Sequence, residues 1–173
     1  PQELLDRIDE PHIFCFSNYV WNYEYNKKVA EAIKEKYPDC LISFGGPQVT
    51  KRPKEKKLFE KNPFIDTISL GEGERNFLTL LEDYQTDSVK QMYAFDRLQE
   101  LDFPSPYGMG LFEKMIQDNP GYQWNAVLET NRGCPFKCTF CDWGSATNSK
   151  IIKFGLDRVF ADIEWFGKRG LPF

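Results

Sequence analysis

The stretch Ile13-Phe-Cys-Phe-Ser-Asn-Tyr-Val-Trp-Asn22 opens the pattern that decides the fold. Ile13 to Ser17 is a short apolar run of strand length, and Ser17 and Asn18 behind it are residues of the kind that cap a helix. Through Asn22 to Lys36 and on to Tyr37, Val29, Ile33 and Tyr37 recur at i, i+4 and i+8, which predicts a helix with one apolar stripe for a sheet. Leu41 to Phe44 repeats the strand signal and ends at Gly45-Gly46-Pro47. A charged helix is expected over about Pro53 to Lys61, and a strand over Ile65 to Leu70 that stops at Gly71-Glu72-Gly73-Glu74. Phe77, Leu78, Leu81 and Tyr84 then line a further helix. Strand and helix in alternation predict an α/β fold, a parallel sheet with covering helices.

Beyond Thr86 the regularity weakens as far as Gln123, and Asp102-Phe-Pro-Ser-Pro-Tyr107 reads as a stiff, extended connector. A short helix is expected over Leu111 to Gln117, before Pro120. Ala126 to Glu129 reads as the first strand of a second domain, Ile151 to Phe154 as an apolar segment, and Leu156 to Lys168 as a helix with Val159, Ile163 and Phe166 on one face. The organisation expected is therefore a first domain over residues 1–100, a connector over 101–123 and a second domain from 124 to 173. The chain opens on Pro1 and closes on Lys168-Arg-Gly-Leu-Pro-Phe173, where another strand is starting, the pattern of a fragment.

The sequence is 173 residues long, 41% hydrophobic and 16% aromatic, enough to bury a core and unlike a disordered chain. Its formal charge of −4 argues against broad attraction to nucleic acid, and no apolar run approaches a membrane span. Glu55 and Glu60, interleaved in the lysine-rich stretch from Lys51 to Lys61, give it the character of a solvated helix face. Gly71-x-Gly73 lacks the third glycine of a dinucleotide fingerprint, Asn76 standing in that place. Five cysteines are an odd number and no secretory signal is present, so the thiols read as reduced and the compartment as cytoplasmic.

Three of the cysteines carry the chemistry. Cys134, Cys138 and Cys141 form a Cys-x3-Cys-x2-Cys run. Three thiolates on one loop can hold three irons of a cubane cluster and leave the fourth iron open to another ligand, which suggests chemistry rather than electron storage. Zinc is the plainer alternative. A closed zinc site wants a fourth ligand, however, and His12, Cys15 or Cys40 could supply one only across a long separation.

Taken with its flank Arg132-Gly-Cys-Pro-Phe136 and with Phe140 before the third cysteine, this loop resembles the cluster loop of radical S-adenosylmethionine (SAM) enzymes. The resemblance implies a [4Fe–4S] cluster held by the three cysteines, with SAM bound at the open iron and cleaved to a 5′-deoxyadenosyl radical. It implies that Phe140 lies near the adenine, that Asp142, Trp143 and Gly144 shape the pocket, and that the fold here is the start of a (βα)6 barrel whose active site sits at the carboxyl ends of its strands. Arg132 either raises the local potential or makes a surface ion pair. An external electron donor is implied as a partner. The glycine-rich contact to the SAM methionine and most substrate contacts would come from later strands.

The first domain resembles a second thing. Phe16-Ser-Asn-Tyr-Val-Trp-Asn22, Phe44-Gly-Gly-Pro-Gln-Val-Thr50 and Gly71-Glu-Gly-Glu74 are similar to the flavodoxin-like amino-terminal domain of cobalamin-binding radical SAM proteins. All three fall at carboxyl ends of strands, where open sheets gather ligands. The resemblance makes Ser17, Gly45, Gly46, Gly71, Glu72 and Gly73 candidates for a cobalamin face. Glu74 serves either a ligand or the dipole of the next helix, the latter being favoured. Members that bind cobalamin through histidine carry Asp-x-His-x-x-Gly, whereas the one histidine here lies in Glu10-Pro-His-Ile-Phe-Cys15 and reads as an edge or core residue. Either the strand bearing that motif lies outside this sequence or the domain shapes the site without the vitamin.

Three function classes follow: a radical SAM enzyme performing methyl transfer or rearrangement on an unidentified small-molecule or biosynthetic substrate, a non-catalytic iron–sulfur or zinc module, and one half of a split enzyme completed by a partner chain. Methylthio transfer to tRNA is disfavoured, because it wants three further cysteines. Only Cys15 and Cys40 remain, and both read as small apolar residues packed in strands.

Overall fold

The structure is a computed structural model, and it describes residues 2–54, 56–136, 138–141 and 150–172. The chain divides into two compact units, Pro1–Arg97 and Leu98–Phe173. Among the described residues no helix is long and apolar enough to cross a membrane.

The first unit is an α/β sheet with helices. Its elements are α1 (Gln2–Leu5), β1 (Ile13–Ser17), α2 (Tyr23–Lys36), β2 (Leu41–Gly45), α3 (Leu58–Lys61), β3 (Thr67–Ser69), α4 (Gly73–Gln85) and β4 (Met92–Tyr93). The four strands are parallel, in the order β1-β2-β3-β4, as the alternation of strand and helix requires and as a flavodoxin-like fold provides. In register, Phe16, Phe44 and Ile68 make one apolar row, and Cys15, Ser43 and Thr67 make a row of small residues on the other face. Ile33 and Val29 of α2 join Ile42, Phe44 and Ile68 in the core. Full burial of each such side chain stabilises the unit by about 1.5–3 kcal/mol.

Several elements depart from the sequence reading. The helix expected over Pro53 to Lys61 is reduced to α3, because Lys57 takes a left-handed backbone (φ 50°) that no continuous α-helix can contain. Of the residues expected to bury α4, Phe77 and Leu78 are 46% and 58% exposed, while the buried pair is Asn76 and Leu80. Asn76 satisfies its burial by donating from Nδ2 to Ser69 Oγ and Leu70 O, both at 2.9 Å. Neither Ser17 nor Asn18 caps α2. Its cap position falls to Asn22, whose side chain instead accepts from Tyr19 N at 2.7 Å. Cys40 is buried, as expected of a packed thiol, but Cys15 is exposed.

The second unit holds α5 (Glu113–Asp118), β5 (Asn131–Arg132), β6 (Ile152–Lys153) and α6 (Leu156–Lys168). Ala126 to Glu129, expected as a strand, is not one. Leu128 packs into the core of Leu101, Ile152, Phe154 and Val159, and strand pairing begins only at β5, which runs antiparallel to β6. Residues 101–123, read as a connector, lie in this unit. Phe103 meets Phe154 edge-on at 5.2 Å, and Tyr107 meets Phe166 likewise at 4.7 Å. Of the stripe read on α6, Val159 and Phe166 are buried and Ile163 is partly so.

Candidate functional site

In the first unit the candidate residues stand on three loops, each at the carboxyl end of a strand. Ser17 ends β1 and is exposed, Gly45 and Gly46 end β2, and Gly71, Glu72 and Gly73 join β3 to α4. The first two loops are bonded into one piece. Asn18, 0% exposed, donates from its backbone N to Gly45 O at 2.8 Å and from Nδ2 to Phe16 O (3.0 Å) and Gly45 O (3.1 Å). Its Oδ1 accepts from Asn26 Nδ2 at 2.9 Å, and its carbonyl accepts from Gln48 N at 3.0 Å. Gly46 has φ +94°, and a Cβ there would lie 2.7 Å from both N and O of Asn18, so only glycine permits the approach.

Outside this junction the loop after β1 is anchored by Asn22 and Asn26, which donate to Ser17 O at 3.0 and 3.3 Å. Tyr19 and Trp21 stack above it, ring centroids 4.7 Å apart and planes 8° from parallel, with Trp21 76% exposed. Around Gly71 (φ +85°) and Gly73 a Cβ would meet nothing within 4 Å, so the backbone there is open to close approach. Glu72 is not a free carboxylate, since it faces Arg97 at 3.8 Å. Glu74 lies in the first turn of α4, where the helix dipole favours it. His12 is exposed at the amino end of β1, the opposite end from Ser17, and its carbonyl accepts from Leu41 N. The chain's one histidine therefore stands away from these loops.

In the second unit, β5 pairs with β6, and the three cysteines lie in the sequence between these two strands. Gly133 (φ +105°) makes the turn that leads from β5 into Cys134. Cys134 and Cys141 are half-buried, Cys138 is exposed, and all are free thiols. Cys141 N donates to Cys138 O at 3.1 Å, which puts these two on one turn. Among the described residues no three metal-capable side chains stand together, so the three sulfurs are not gathered into a ready ligand set. Donor chemistry suits a cluster; the gathering would come with the metal, as it does where no preformed site exists. Phe140 is 91% exposed, and Asp142, Trp143 and Gly144 lie outside the described residues.

Arg132 makes an ion pair, not a free positive charge. It donates from Nε and Nη2 to the two Glu129 oxygens at 2.7 and 3.0 Å, and its guanidinium lies 5.2 Å from the centre of the Phe103 ring. Sequence reasoning missed the asparagine network and the stacked Tyr19–Trp21 pair. The signal available was the density of asparagine, at positions 18, 22 and 26.

No family model matches the chain. Over 96% of its length it is 40% identical to the cobalamin-dependent radical SAM methyltransferase TokK of Streptomyces tokunonensis, covering 27% of that protein. It is 36% identical, again over 96% of its length and 27% of the relative, to the 2-(S-pantetheinyl)-carbapenam-3-carboxylate methyltransferase of Streptantibioticus cattleyicolor. It is 23% identical over 98% of its length to the hopanoid C-3 methylase of Methylococcus capsulatus, covering 35% of it. The chain thus spans about a quarter of the length of the first two relatives.

Proposed function

This chain is a homologue of radical SAM proteins of the cobalamin-dependent kind, and from that premise we propose that the protein is a methyltransferase using a [4Fe–4S] cluster, SAM and cobalamin. The observation that carries the reading is the 40% identity to a cobalamin-dependent radical SAM methyltransferase along 96% of the chain, a stretch that includes the three-cysteine loop. Cys134, Cys138 and Cys141 are the residues that would hold the cluster, and Ser17, Gly45, Gly46, Gly71 and Gly73 line the face offered to cobalamin. When bound, these groups supply reductive cleavage of SAM and a methyl group for transfer. The chain's part is to tether and orient. The β5–β6 stem confines the thiols, the open backbone at Gly71 and Gly73 admits a close ligand, and Glu72 held by Arg97 keeps a fixed charge at the rim. His12 is not among the residues that would hold the cofactor, since it stands at the other end of β1.

An electron donor is required as a partner, and the free cysteines favour a reducing compartment, the cytoplasm. As substrate class, small biosynthetic intermediates come first, with 2-(S-pantetheinyl)-carbapenam-3-carboxylate the first to try because it names a relative 36% identical to this chain.

The test is anaerobic reconstitution of the full-length protein with iron and sulfide, followed by EPR of the reduced form with and without SAM. About four irons per chain, a signal altered by SAM and its loss in Cys134→Ala are expected. Tightly bound zinc without iron uptake would overturn the reading.

A further inference from the structure

We infer that Asn18 is a positioning residue that joins the loops after β1 and β2 into one preformed rim for the corrinoid. The inference rests on the cobalamin reading above. A buried asparagine with no exposed surface has to spend its polar atoms within the protein, and the Nδ2 of Asn18 is spent across the junction on Gly45 O as well as on Phe16 O of its own strand. Its backbone N and Nδ2 both reach Gly45 O, its carbonyl holds Gln48 N, and its Oδ1 takes Asn26 of α2. Gly46 supplies the other half of the fit, because any side chain at that position would strike Asn18 N and O at 2.7 Å. Neither half works alone. The asparagine bonds need the close approach, and the approach needs glycine.

A rim fixed before the ligand arrives avoids the ordering cost that a loose pair of loops would meet on binding. Two separate loops, each carrying named candidates for the cofactor face, Ser17 on one and Gly45 and Gly46 on the other, therefore respond as a unit. Asn18 touches no ligand in this account. It acts through the loops it joins.

Hydrogen exchange and hydroxocobalamin titration of the full-length protein test this together, on wild type, Asn18→Ala, Gly46→Ala and the double variant. In wild type without ligand, the Gln48 amide is expected to be protected. In each single variant it loses protection while the β1–β2 ladder keeps its own, and hydroxocobalamin binds about tenfold more weakly, the scale of one lost hydrogen-bonded junction. The double variant is expected to be no weaker than either single one, since both break the same junction. The near-UV circular dichroism of the Tyr19–Trp21 pair should fall in step with the exchange.

An unprotected Gln48 amide in wild type, or variants that lose protection yet bind as wild type does, would overturn the role of Asn18 and leave the cobalamin reading standing. Loss of ladder protection along with Gln48, in both single variants, would make the junction a general structural support and would equally overturn the role. A wild-type protein with a protected Gln48 amide and no affinity for hydroxocobalamin would overturn the cobalamin reading itself.

Discussion

Lys34 on α2 donates to both carboxylate oxygens of Asp66, at 3.1 and 2.9 Å, and the same Asp66 takes the backbone N–H of Ile42 on its Oδ2 at 2.7 Å. A side chain ahead of β3 thus stands in for a ladder partner of β2. Asp66→Ala orphans an N–H on a fully buried residue and is expected to destabilise the protein by about 2 kcal/mol, read from the urea midpoint. Asp66→Asn keeps an oxygen acceptor and should lose less, because the half-exposed ion pair itself is worth little. Equal losses from the two variants would show that the ion pair matters more than the backbone bond.

Thr67 is fully buried, and its Oγ1 has no hydrogen-bond partner among the described residues. Removing the hydroxyl while keeping the shape, in Thr67→Val, is expected to stabilise by about 1 kcal/mol. Thr67→Ser keeps the hydroxyl and loses a methyl, and should destabilise by about 1 kcal/mol. Thermal midpoints of the pair decide it, and a valine variant less stable than wild type would show that the hydroxyl is bonded after all.

In the second unit, Ser105 donates to Asp162, which is buried on α6 and lies 4.0 Å from Arg158 Nη2. Arg158 is packed 3.7 Å over the Phe154 ring, and its Nε and Nη1 are buried without partners among the described residues. Asp162→Ala would remove the carboxylate that faces that guanidinium and is expected to cost about 3 kcal/mol. Ser105→Ala should cost about 1 kcal/mol. A double-mutant cycle should show the two effects to be coupled, and simple additivity would mean that the serine bond contributes nothing.

Acid unfolding should report Asp83. Tyr93 donates to its Oδ2 at 2.9 Å and Lys90 stands 3.2 Å away, and these hold the carboxyl below the usual carboxylate range, the tyrosine bond foremost. A folded-state value below the unfolded one means the contribution is complete above the ordinary carboxylate range and disappears as pH falls through the folded value. Asp83→Asn and Tyr93→Phe are each expected to flatten the acid limb of stability against pH. An unchanged limb in both would remove Asp83 from the account.

Strands β1 and β2 and helices α2 and α6 were legible in the sequence because their apolar residues repeat at one period without competition, and α6 falls on the residues read for it, Leu156 to Lys168. The stripe of α4 was not, because half of its buried contact is an asparagine whose polarity only a tertiary partner explains. The left-handed Lys57 that shortens α3 is likewise a long-range decision, carried by no local pattern. Spacing singled out three cysteines as candidate ligands, but whether their sulfurs gather is a property of the folded chain that no spacing encodes, and among the described residues they are not gathered. Asn18 read as a helix cap from its place after a strand, and its actual use depends on Gly45, Gly46 and Gln48, far along the chain.

The pairing of Asn131–Arg132 with Ile152–Lys153 sets the two ends of the cysteine loop one strand spacing apart. Each thiol then reaches the others at a local concentration set by the loop and not by the bulk solution. Unzipping that short stem would amount to dilution: the same three cysteines, on the same chain, would meet one another as though they had been moved into a larger volume.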